Sequence, residues 1–259
     1  MKLNISFKDF KKNHIAQKNQ IIFSSQKCNN YERIENLFNF LLVEKNSFVF
    51  ESVEKGKIRG RYTIIGLNPD IIYDISKNTV SIKSNGKVKH IRTSPLSFLN
   101  NLINNFKIKI PKKLPSMASM LVGYFSYDII RYIEKIPDKC KDDLKIPDVR
   151  LLRPKNLIIY DNLKKIIYYI ENIYGDEKIK DYFEKYRNIK LNFDLYRNYE
   201  KIKIPLRLTF KKNNNKIKSN ISKKRFKNIV SKAKKHIVKG DIFQVVLSQR
   251  FERKFKKTP

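Results

Sequence analysis

The hydrophobic pattern of this chain changes period several times, and each change marks an element. From Tyr31 to Glu44 the apolar residues Ile34, Leu37, Phe38, Leu41 and Leu42 fall at i, i+3, i+4, i+7 and i+8, the spacing of an amphipathic helix. Phe48 to Ser52 is a short apolar run ending in a carboxylate and a hydroxyl. A polar turn with Gly56 and Gly60 follows, then a second apolar run closed by Gly66 and Pro69, so the stretch reads strand, loop, strand. Ile71 to Ile75, Thr79 to Ile82 and Val88 to Ile91 are further strands. The last two flank Ser84-Asn85-Gly86-Lys87, a hairpin signal because both central residues of a type I′ turn need positive φ. Pro95 to Phe106 places Leu96, Leu99, Leu102, Ile103 and Phe106 on one helical face. In the strand from Leu121, Gly123 marks a close backbone approach. Leu157 to Asp161 and Lys165 to Ile170 form a hairpin-like pair around Asn162, and Asp176 to Tyr186 reads as a helix. Short, hairpin-linked strands with few helices predict an α+β fold, antiparallel β-sheets packed with outer helices, over residues 30–185.

The flanks are patterned differently. Residues 1–29 are polar and read as a lead-in with one short strand at Ile21 to Phe23. Residues 187–221 are rich in Lys and Asn, including Lys211 to Lys216, and read as a solvated linker after a domain spanning 30–186. A second domain starts at residue 222 and runs to 259. Ser222 is a suitable N-cap, Phe226, Ile229, Val230, Ala233 and Ile237 make one stripe, and Gly240 sits where a helix C′ residue belongs. Asp241 to Phe251 then reads as a strand apolar on both faces, and therefore buried.

Composition narrows the function classes. With 41% hydrophobic residues in 259, a sizeable core is within reach. The formal charge of +33, from 57 Lys+Arg against 24 Asp+Glu, taken alone points to nucleic acid or an anionic surface. The lysines are dispersed, however. Abundant Lys, Asn, Ile, Tyr and Phe beside seven glycines and no tryptophan is what AT-rich coding produces, so the charge reads as genome composition and not as a binding stripe. Cys28 and Cys140 have no metal-site or disulfide-framework spacing. No signal-peptide core or spanning stretch is evident, which places the protein in the cytoplasm with no membrane partner. His14, His90 and His236 are isolated, and neither a Ser/His/Asp arrangement nor a Gly-rich phosphate loop can be assembled. Asp142, Asp143 and Asp148 read either as metal ligands or as solvated counter-charge.

Two motifs carry a resemblance. Phe50-Glu51-Ser52-Val53-Glu54, followed by Gly60-Arg61-Tyr62-Thr63-Ile64-Ile65-Gly66 and Asn68-Pro69, resembles the amino-terminal signature of the anthranilate synthase component I family. Gly123-Tyr124, Tyr127-Asp128, Pro137-Asp138 and Pro147-Asp148 match the family's centre. The run from Gly240 to Phe251 is nearly word for word the opening of its chorismate-binding domain. The resemblance covers most of residues 30–255, and the family continues for roughly as many residues again past the position of Pro259. The C-terminal half is therefore expected to be missing, with its histidine, acidic metal ligands, chorismate-carboxylate contacts and the Pro-Tyr-Met segment that closes the tryptophan pocket.

The resemblance implies an enzyme that adds ammonia to chorismate and releases anthranilate and pyruvate. Mg²⁺ is its cofactor, a glutamine amidotransferase subunit supplies the ammonia, and tryptophan is a feedback inhibitor bound by Glu51, Ser52 and Phe50. It also implies that the 259-residue piece alone is inactive. Gln244 is the catalytic position that remains. Relatives that add water to chorismate carry a basic lysine there, able to activate water. Glutamine cannot act as that base, whereas ammonia is already a nucleophile and needs mainly positioning. Three alternatives stand beside this reading: an aminodeoxychorismate synthase component, a non-catalytic regulatory fragment, and a basic nucleic-acid-binding protein.

Overall fold

The computed structural model describes residues 2–41, 45–51, 60–106, 108–138, 142–199 and 216–254. The chain divides into two units, Met1–Pro205 and Leu206–Pro259. In the first, α1 (Phe7–Ile15), β1 (Gln20–Lys27), α2 (Glu32–Leu41) and β2 (Phe48–Phe50) lead to a long strand β3 (Tyr62–Ser76). The hairpin β4 (Thr79–Ser84) and β5 (Lys87–Arg92), α3 (Pro95–Asn105) and β6 (Val122–Phe125) follow. A second long strand β7 (Val149–Asp161), β8 (Ile166–Ile173) and α4 (Tyr182–Arg197) complete it.

All pairing in this sheet is antiparallel, as the hairpin-rich pattern implied. β3 and β7 form the spine, and each long strand has two different outer neighbours along its length. β2 pairs with the start of β3 and β4 with its end; β6 pairs with the start of β7 and β8 with its end, and β1 lies outside β8. The change of neighbours coincides with two prolines facing each other, Pro69 and Pro154, where the register slips between Pro69 and Ile71. Neither proline has an N–H to give the ladder, so the spine is weakest there and accommodates a bulge. Asn68 enters the bulge at φ +50°.

The extra residue also reverses the alternation of β3. Ile64 faces the same side as Leu157 and Ile159 of β7, whereas beyond the bulge it is Tyr73 and Ile75 that face the side of Val149 and Leu151. A strand read by strict alternation breaks at this point, which is why the sequence pattern predicts two strands where there is one.

Helices α1, α2 and α4 cover one face of the sheet, packing Phe10, Leu37, Ile189 and Phe193 on Ile22, Ile65, Ile158 and Tyr169. The other face is covered by α3, through Leu99, and by the segment around Leu114 and Ala118. The β4–β5 turn has Asn85 at φ +49° and Gly86 at +73°, the geometry expected of that Asn-Gly pair. Gly123 is also explained: a Cβ there would lie 1.7 Å from the Arg150 carbonyl oxygen across the β6–β7 ladder.

Three expectations need correction. The polar lead-in contains α1, capped by the Ser6 hydroxyl, which accepts from the Asp9 amide at 3.1 Å, and the strand after it runs over Gln20–Lys27. α4 continues to Arg197, past residue 186 and into the stretch read as linker. The third concerns the second unit, which holds β9 (Lys218–Ser219), α5 (Lys223–Val238) and β10 (Phe251–Glu252), with β9 and β10 paired. α5 begins and ends as expected, with Ser222 accepting from the Arg225 amide and Gly240 at φ +78°. Residues 241–250, however, form no strand, and Phe243 is 100% exposed. A strand apolar on both faces needs neighbours on both edges and both faces. The described part of this unit offers one helix and a two-residue ladder, too little to bury it.

Candidate functional site

The strand-end signature of the first unit is built around the N-terminus of α2. The Tyr31 carbonyl accepts from the amides of Ile34 (2.8 Å) and Glu35 (3.1 Å), so the first turn of the helix fixes its backbone. Its ring leans on buried Tyr160 with centroids 5.9 Å apart, and the Tyr160 hydroxyl donates to the Cys28 carbonyl at 3.0 Å. The Tyr31 phenol donates to Oε1 of Glu51, immediately after β2. Burial, reinforced by that carboxylate, pushes the Tyr31 phenol up to about 12, with Thr63 acting in the opposite sense. The phenol therefore stays a donor at neutral pH.

Phe50, beside Glu51, is 48% exposed, and its ring centroid lies 5.0 Å from that of Phe48. Phe48 lies over Gly66, its partner in β3, where a Cβ would come within 2.0 Å of the ring. The glycine that closes the motif thus seats the aromatic pair. The motif's Arg61 reaches Asp161 at the end of β7 through two hydrogen bonds, 3.1 and 2.7 Å. Asp161 also accepts from the amides of Leu163 and Lys164, both at 3.0 Å. Burial alone would raise the Asp161 carboxyl, but Arg61 and these amides hold it below the ordinary carboxylate range.

Glu51 and Phe50 adjoin in sequence but face opposite sides of the sheet: Phe50 stacks on Phe48, which packs with Ile64 and Leu114, whereas Glu51 meets Tyr31 on the α2 side. Glu51 offers an exposed carboxylate suited to a cation. Ser52 lies outside the described residues. Tyr31 escaped the sequence reading, its one local signal being its place at the start of an amphipathic helix. Gln244 is exposed and belongs to the second unit.

The aspartates considered as metal ligands are engaged otherwise. Asp148 accepts from the Tyr132 hydroxyl at 2.5 Å and the Lys77 amide at 3.0 Å, tying β7 to the β3–β4 turn. Asp142 accepts from the Lys145 amide at 2.9 Å. Among the described residues, no three His, Cys, Asp or Glu side chains converge as a set that could hold a metal. The Tyr-Asp element is likewise architectural: Asp128 holds Arg131 at 2.9 Å, and Arg131 donates to the carbonyls of Ile136 and Pro137. No described helix is long and apolar enough to cross a membrane.

Known proteins resemble this chain over most of its length. The chorismate binding enzyme family matches residues 45–259. Anthranilate synthase component 1 of Acetivibrio thermocellus is 35% identical over 78% of the chain and 42% of its own length. That of Aquifex aeolicus is 33% identical over 84% of the chain and 45% of its own length. The crystal structure of anthranilate synthase component I from Streptococcus pneumoniae TIGR4 superposes with a TM-score of 0.61 at 25% identity, covering 86% of the chain and 47% of that structure. The chain thus spans about half the length of the relatives it matches. The family match runs from just before β2 to Pro259, taking in both sequence motifs, and the chain belongs to the chorismate binding enzyme family, among the relatives of anthranilate synthase component I.

Proposed function

We propose that the protein carrying this chain converts chorismate and ammonia to anthranilate and pyruvate, with ammonia delivered by a glutamine amidotransferase subunit. The observation that carries this reading is the run Gly240 to Phe251 inside a family match spanning residues 45–259. Gln244 in that run favours amination over hydration, because an amide side chain cannot deprotonate water at neutral pH. An aminodeoxychorismate synthase component is the second reading, and Gln244 is compatible with it. The Glu51-Ser52-Val53-Glu54 wording and the names of the relatives favour anthranilate. Magnesium enters by resemblance alone. The described residues provide no ligand set for it, so its ligands would come from sequence outside them.

Within this reading Glu51 and Phe50, with Ser52, form the feedback site for tryptophan. Glu51 takes the ammonium in this reading. Titrating the complete protein with tryptophan in a calorimeter tests this. Glu51→Gln should weaken tryptophan binding at least tenfold, since a charge-assisted contact becomes neutral. Equal affinity in wild type and variant would place the site elsewhere. Ser52→Phe, which would fill the slot, should relieve inhibition while leaving anthranilate formation intact.

A further inference from the structure

We propose that Tyr31 is the positioning residue of this site, its phenol holding the Glu51 carboxylate in place for the ammonium of an incoming amino acid. The inference rests on the reading of Glu51 as the ammonium acceptor and adds the group that makes Glu51 competent. Glu51 follows a three-residue edge strand whose ladder with β3 ends at Phe50. An acidic side chain at such an end has several rotamers open to it, and ordering it on binding costs affinity. Tyr31 removes that freedom through a contact between residues far apart in sequence.

Tyr31 is itself fixed at two points, and the ring it rests on is anchored in turn. Its carbonyl is taken by the first turn of α2, its ring rests on Tyr160, and Tyr160 is anchored to the Cys28 carbonyl. The core beneath α2 is thereby connected to one oxygen of an otherwise exposed carboxylate. A phenol suits the task because it donates without adding a positive charge; a lysine or arginine in its place would neutralise Glu51 and compete with the ligand's ammonium.

The experiment compares two ligands on the complete protein: tryptophan, and indole-3-propionate, which keeps the ring and carboxylate but lacks the amine. Tyr31→Phe keeps the ring on Tyr160 and removes only the donor. The expected result is tryptophan affinity weaker by about two- to tenfold, the cost of ordering one freed side chain on binding, with indole-3-propionate affinity unchanged. If Tyr31→Phe leaves tryptophan affinity intact, or weakens both ligands alike, Tyr31 does not position the carboxylate and the inference is overturned. Glu51→Gln measured in parallel separates this failure from failure of the underlying reading. If wild type and Glu51→Gln bind tryptophan equally, Glu51 is not the acceptor and both proposals fall; if Glu51→Gln alone loses affinity, only the Tyr31 proposal does.

Discussion

Asp161 is the residue on which the spine's end depends. It is 1% exposed, and Arg61 and two backbone amides share its oxygens. Truncation to Ala leaves those donors without their acceptor, and Asp161→Ala should cost about 2–3 kcal/mol in a urea titration. The pH dependence follows from the same contacts. Asp161 and Asp74, the latter gripped by Arg150 and Lys83, have their carboxyls held below the ordinary range despite burial. A carboxyl depressed in the folded state stabilises fully above its unfolded value, about pH 4, and loses that contribution as pH falls through the folded value. Unfolding free energy should therefore be level near neutrality and fall below about pH 4, and the fall should be shallower in Asp161→Ala. An identical acid profile in the variant would count against this account. Gly123→Ala should be destabilising by more than a surface substitution, because the atom it would meet is the Arg150 backbone and not a movable side chain. At this scale the sequence disclosed the positions whose reason is local, such as Asn85-Gly86 at a turn. Tyr31 was hidden because its importance lies in a contact with Glu51, which no periodicity encodes.

Among elements, α4 was the most legible in principle and the most easily lost. Tyr182, Tyr186, Ile189, Phe193 and Tyr196 recur at alternating spacings of four and three, and all pack into the core under the sheet. The lysines and asparagines between them give the stretch the composition of a linker; Asn188 and Lys190 lie on its solvent side, while Lys185 turns in to pair with Glu171 at 2.6 Å. Periodicity was the better guide there. Phe193→Ala, at a fully buried position, should cost about 3–5 kcal/mol and lower the unfolding midpoint accordingly. A loss under 1 kcal/mol would mean α4 does not belong to the core. β3 failed for the opposite reason, since a one-residue bulge reverses the parity on which strand reading relies. The run at 241–250 shows a third case: its apolar pattern is that of a buried strand, but a pattern records what a segment needs and not whether its neighbours are present.

For the whole molecule, the sheet spine, its helical cover and the family were visible in the sequence because hairpin turns and two motifs are short-range features. Which groups complete the chemistry was not, since catalytic constellations assemble from distant segments. Under the proposed reading, the 259-residue polypeptide, which spans about half the length of its relatives, is expected to make no anthranilate on its own. The most direct test of the proposed activity supplies the complete protein with chorismate, Mg²⁺ and ammonium and identifies the product by fluorescence and mass spectrometry, with the 259-residue chain alone as the comparison. The expected result is anthranilate with equimolar pyruvate from the complete protein and none from the chain alone. Aminodeoxychorismate without pyruvate, isochorismate, or no turnover by the complete protein would contradict it.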